Sequence, residues 1–143
     1  MLVSQILRDK GDLVFTARPH ETVGAAAALL HSRRVGAMVI VDHNDAVIGI
    51  LSERDIVRAV AERGAASLGE PITGFMSHNV VFATPSESVD DLLGRMTDRR
   101  MRHLPVVNDG RLMGIVSIGD LVKSKIAETE AEAETLKAYI SAG

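Results

Sequence analysis

The chain contains no cysteine and no tryptophan, and its aromatic side chains are three Phe and one Tyr. Without thiols it can form no disulfide, no thiolate metal site and no cysteine nucleophile. With aromatics at 3%, it has no set of exposed rings on which single-stranded nucleic acid could stack. Positive charge is also in the minority: 16 Lys and Arg stand against 19 Asp and Glu, a net charge of −3. No global basic field therefore draws nucleic acid or an anionic membrane, and neither is expected as a partner. No apolar run approaches the roughly 20 residues that span a bilayer. The segment 1–8 lacks a basic start followed by a long apolar stretch, so no secretory signal is expected. These absences point to a soluble cytoplasmic protein. What the chain does have is aliphatic bulk: 46% of its 143 residues are hydrophobic. That suffices for one compact domain, or two small halves, built on Val, Ile, Leu, Met and Ala.

The chain repeats itself. Val14-Phe15-Thr16-Ala17-Arg18-Pro19-His20-Glu21-Thr22-Val23 aligns with Val80-Val81-Phe82-Ala83-Thr84-Pro85-Ser86-Glu87-Ser88-Val89. The register carries through Arg33-Arg34 and Arg99-Arg100 to Val41 and Val107. One residue is then lost in a turn, where Asp42-His43-Asn44-Asp45 faces Asn108-Asp109-Gly110. Beyond it, Gly49-Ile50-Leu51-Ser52-Glu53-Arg54-Asp55 matches Gly114-Ile115-Val116-Ser117-Ile118-Gly119-Asp120. A length change confined to a turn is what a duplicated fold tolerates best.

Each copy shows the same order of elements. An extended segment (14–17; 80–83) leads to Pro19 or Pro85, and Thr22 or Ser88 offers an N-cap. A helix over 23–34 or 89–100 follows, with Val89, Leu92, Leu93 and Met96 at helical spacing. Two short apolar runs about a polar turn then read as a hairpin: 37–41 with 47–51, and 104–107 with 112–116. A second helix begins near Glu53 or Ile118. The fold class is α/β, or α+β, with tandem β-α-β-β-α units. The expected divisions are a first repeat with an N-terminal helix (1–64), a connector (65–79), a second repeat (80–126) and a helical extension (127–143). In that extension Leu136, Tyr139 and Ile140 leave a small apolar stripe. It fits either a helix folded back on its own domain or a contact with a second copy.

A duplicated β-α-β-β-α unit with these Gly-Ile-Leu-Ser-Glu-Arg-Asp and Gly-Ile-Val-Ser-Ile-Gly-Asp motifs resembles the CBS domain, named after cystathionine β-synthase. Arg102-His103-Leu104-Pro105-Val106-Val107 and the Pro-x-x-Ser/Thr-Val before each first helix add to the resemblance, which covers about residues 1–126. It implies two repeats packed sheet to sheet with pseudo-two-fold symmetry as a Bateman module, and pairing of two modules into a homodimer. It also implies a cleft between repeats that holds an adenine nucleotide: AMP, ADP, ATP or NAD(H). Carried over residue by residue, the expected nucleotide-binding set is Ser117, Gly119, Asp120, Arg102, His103 and Pro105, with Ser52, Arg54, Asp55 and Thr16 from the first repeat. Within it, Asp55 and Asp120 are expected to hold a ribose. No catalytic residue, metal ligand or required cofactor is implied.

The same residues have plainer readings. Ser52-x-x-Asp55 and Ser117-x-x-Asp120 are capping-box patterns, and an Asp suits the positive end of a helix dipole. A free helix start also suits phosphate, so cap and ligand site are compatible. Arg33, Arg34, Arg54, Arg58, Arg99, Arg100 and Arg102 could pair with phosphate, or could simply be solvated; Arg54 and Arg102 are the stronger candidates. His103 fits packing or a pocket wall, while His20, His31, His43 and His78 are scattered and show no metal-site spacing. The halves also differ: Gly36-Ala37 stands where the second repeat has Arg102-His103, and Arg54 where it has Gly119. With no P-loop and no nucleophile–base pattern, the chain reads as a non-enzymatic sensor of adenine nucleotides that signals to an unidentified partner protein. The alternative is an adaptor that binds nothing and uses its Ser-x-x-Asp motifs only as caps.

Overall fold

The computed structural model describes residues 1–11 and 13–142, so Gly143 of the expected extension lies outside the described residues. The chain divides into two compact units, Val14–Val81 and a second made of Met1–Leu13 with Phe82–Gly143.

In the first unit, β1 (Thr16–Ala17) runs parallel to β2 (Ala37–Val41), which pairs antiparallel with β3 (Val47–Ser52). Helix α2 (Val23–Arg33) starts where Thr22 Oγ1 accepts the Ala25 amide at 3.1 Å. Helix α3 (Glu53–Arg63) follows β3 directly. The hairpin turn is held by the Asp42 carboxylate, which accepts the Asn44 and Ala46 amides at 2.8 and 3.0 Å. Residues 65–76, read from sequence as part of a connector, belong to this unit. Ile72, Phe75 and Met76 join Met38, Ile40 and Leu51 in its core. Ser77 then pairs with Ile50 along β3. Gly49 allows a close approach there: a Cβ would lie 2.7 Å from Met76 Sδ and 3.1 Å from the Ser77 carbonyl oxygen, so Met76 would have to move aside.

The second unit repeats the plan. Helix α4 (Val89–Arg99) is capped by Ser88 Oγ, which accepts the Asp91 amide at 3.1 Å. Strands β4 (His103–Asn108) and β5 (Arg111–Ser117) form an antiparallel hairpin. Its two-residue turn, Asp109-Gly110, has φ of 52° and 77°, the type I′ geometry that Asp-Gly favours. The extended segment expected at 80–83 shrinks to one bridge, Ala83 with Val106. Matched helix ends recur as well: Arg34 and Arg100 close α2 and α4 in the left-handed conformation.

The placement of the N-terminal helix differs from the sequence expectation. The N-terminal helix α1 (Val3–Lys10) packs with the second repeat, not the first. Its start is tied there by backbone hydrogen bonds from Val3 and Ser4 to the Glu87 and Pro85 carbonyls, and it buries Val3, Ile6 and Leu7. Helix α5 (Ile118–Ala142) is one continuous element of 25 residues, and its last turns stay exposed instead of folding back. Its second half offers mostly Glu, Ala, Lys and Thr, too little apolar surface to pull it onto the unit.

Candidate functional site

The chemistry-bearing residues gather at two strand-to-helix junctions, one in each unit. At β5–α5 the Ser117 amide donates to Asp120 Oδ2 at 2.8 Å, and the Asp120 amide donates back to Ser117 Oγ at 3.1 Å. This reciprocal pair satisfies two donors at a helix start that would otherwise be orphaned. The Ile118 amide donates to the Arg102 carbonyl at 2.8 Å, and His103 pairs with Ser117 across the hairpin. Arg102, His103, Ser117, Gly119 and Asp120 therefore converge on one junction. Pro105 lies two residues further along β4, buried, opposite Ile115.

The β3–α3 junction has the same skeleton. The Ser52 amide and hydroxyl both donate to Asp55 Oδ2, at 2.8 and 3.1 Å, and the Asp55 amide donates to Ser52 Oγ at 3.3 Å. The Glu53 amide donates to the Gly36 carbonyl at 3.0 Å, so Gly36 and Ala37 hold the positions of Arg102 and His103. Arg54 is exposed in the first turn of α3. Thr16 lies on β1, with β2 between it and β3, and is not brought to this junction.

Each carboxylate also meets a cation that the sequence reading did not assign to the site. Arg58, one turn along α3, places Nη1 3.1 Å from Asp55 Oδ1 and donates through Nη2 to the Phe75 carbonyl at 2.8 Å. Asp120 is met from a distant element. Lys10, at the end of α1, places Nζ 2.7 Å from Asp120 Oδ2 and donates to the Ile115 carbonyl at 2.9 Å. Burial pushes the Asp120 carboxyl up, but the Lys10 and Ser117 hydrogen bonds and the Lys10 charge outweigh it, leaving it below the usual carboxylate range. A cavity of about 210 Å3 adjoins this pair, lined by Lys10, Asp120, Lys123 and Ser124 among others. Arg58 was legible as one of several arginines, at i+3 from Asp55. Lys10 was not, since nothing in the sequence links residues so far apart.

The remaining arginines divide. Arg33 stacks over the Phe15 ring, 5.2 Å from its centroid. Arg34 and Arg100 are helix C-caps, and Arg99 and Arg102 have exposed side chains.

The profile of the CBS domain matches residues 10–62 and 72–126. The chain belongs to the CBS domain family. Both repeats are CBS domains, and the second match begins inside the stretch first read as a connector. Among solved structures, the CBS-domain containing protein ATU1752 from Agrobacterium tumefaciens is similar at 44% identity and a TM-score of 0.84, over 87% of this chain and 92% of that one. The CBS domain pair of protein MJ0100, solved with 5′-methylthioadenosine and S-adenosyl-L-methionine, is 28% identical, with a TM-score of 0.80 over 90% and 98%. The CBS domain protein PAE2072 from Pyrobaculum aerophilum, complexed with AMP, is 28% identical, with a TM-score of 0.75 over 84% and 89%.

Proposed function

We propose that this CBS pair is a non-catalytic regulatory module that binds an adenine nucleotide and passes its occupancy to a partner protein. The observation that carries this reading is the twice-built junction. Each places an Asp carboxylate beside a capped helix start, where a ribose diol can be held and the adjacent amides favour phosphate. Similar CBS proteins solved with AMP, 5′-methylthioadenosine and S-adenosyl-L-methionine support an adenosine-containing ligand. The Asp120 junction is the better candidate for the first ligand, because it gathers Arg102, His103, Ser117 and Gly119.

Signalling follows if ligand binds one conformation or oligomer better than another, and only by that difference in affinity. A homodimer is the expected assembly. Ile118, Val122 and Ile126 recur every fourth residue on α5 and are exposed, as are Leu136, Tyr139 and Ile140. The partner is a separate, unidentified protein, and the expected setting is the cytoplasm.

The deciding experiment is calorimetric and thermal-shift titration of the folded protein with AMP, ADP, ATP, NAD⁺, NADH, 5′-methylthioadenosine and S-adenosylmethionine. Ligand that binds only the folded state raises the melting temperature by mass action. Saturable binding of one adenosine compound is the expected result. No binding to any of them would leave an adaptor whose Ser-x-x-Asp motifs act only as helix caps.

A further inference from the structure

Asp120 is neutralised in a way that Asp55 is not. The Arg58 that faces Asp55 sits on the same helix and is fastened to the Phe75 carbonyl, so that pair is closed within one turn of α3. Lys10 comes from α1, and its ammonium shares Asp120 Oδ2 with the Ser117 amide. A vicinal diol brings two O–H donors to a carboxylate, and Oδ2 already holds two donors. The Ser117 amide cannot leave without breaking the reciprocal pair at the start of α5. Lys10 can leave: it is a hydrated ammonium on a flexible stem, its side chain one third exposed at 33%. The adjoining cavity also gives it room.

We propose that Lys10 is a built-in competitor for the ribose-binding carboxylate, so that a ligand diol at Asp120 unlatches the C-terminal end of α1. The inference rests on reading Asp120 as a ligand carboxylate. The opposite end of α1 stays anchored by the Val3 and Ser4 hydrogen bonds and by its buried Val3, Ile6 and Leu7. Only the last turn is released. It lies one residue before Gly11, whose φ of 91° ends the helix and from which the chain runs on to the first repeat. Occupancy of Asp120 is thereby converted into freedom of the last turn of α1, residues 8–11.

The test uses adenosine as probe on the full chain and on Lys10→Met and Lys10→Arg. Lys10→Met keeps the apolar stem and removes the charge, and the anchors of α1 preserve the fold. Adenosine should bind Lys10→Met about two- to five-fold more tightly than wild type, the size of a partly exposed ion pair. Lys10→Arg should remain near wild type, and the gain should vanish with 2′-deoxyadenosine, which has no diol. In parallel, amide exchange at residues 8–11 should quicken when adenosine binds wild type, and be fast with or without it in Lys10→Met. If adenosine binding depends on Asp120 but is unchanged or weaker in Lys10→Met, the competition is wrong while the ligand reading survives. If none of the folded variants binds adenosine, the ribose reading fails and the competition with it.

Discussion

The two junctions share a Ser–Asp helix cap and differ in the cation that meets the carboxylate. Both have a Ser N-cap answered by an Asp, and both close a helix amide onto the neighbouring hairpin strand. The counter-charge, however, is Arg58 from the same helix at one and Lys10 from α1 at the other. Packing differs in the same way. In the first unit α2 is a run of Ala25 to Ala28, and the 3-10 turn Ala65–Gly69 lies against both α2 and α3. A Cβ on Gly24 would come within 3.0 Å of the Leu68 carbonyl oxygen, which measures how close that approach is. In the second unit Leu92 and Met96 stand where Ala26 and Leu30 do, and α4 packs directly on α5. Local geometry is duplicated because the local sequence is; the neighbours that complete each copy are free to diverge, and they decide whether a carboxylate is closed off or coupled to another helix.

The largest effect should come from the packing side of this contrast. Leu92→Ala removes a fully buried side chain and should cost about 2–5 kcal/mol in urea unfolding. A loss under about 1 kcal/mol would mean the second unit can close the gap around the missing side chain.

Next in size is the ligand contrast. Asp120→Asn should weaken adenosine-nucleotide binding about tenfold or more, the scale of hydrogen bonds to a charged group, and Asp55→Asn should do less. Equal losses in calorimetry would erase the distinction between the two junctions.

The caps should then behave alike. Ser52→Ala and Ser117→Ala are each expected to cost about 1 kcal/mol, read from chemical denaturation. A difference well beyond that would show that one hydroxyl does more than cap.

The smallest effect concerns pH. Because the Asp120 carboxyl is depressed in the folded state, it contributes stability above its unfolded pKa of about 3.9 and loses it as pH falls through the lower folded value. The stability difference between wild type and Asp120→Asn should therefore narrow below about pH 4. Lys10→Met should flatten the same limb, since it removes the main stabiliser of the ionised form. An unchanged acid limb in both variants would mean the pair does not hold the carboxyl down.

Much of this was readable from sequence because it depends on neighbours a few residues apart. The duplication, the hairpins about Asp42–Asp45 and Asp109-Gly110, and the caps at Thr22, Ser88, Ser52 and Ser117 all rest on short-range geometry. So did the likeness to the CBS domain. The docking of α1 on the second repeat, the folding of residues 65–76 into the first, the shrinkage of the strand at 80–83 to a single bridge and the meeting of Lys10 with Asp120 were decided only in three dimensions. An apolar stripe states that a helix must be covered but not by what, and an ion pair between residues 10 and 120 leaves no periodicity in the chain.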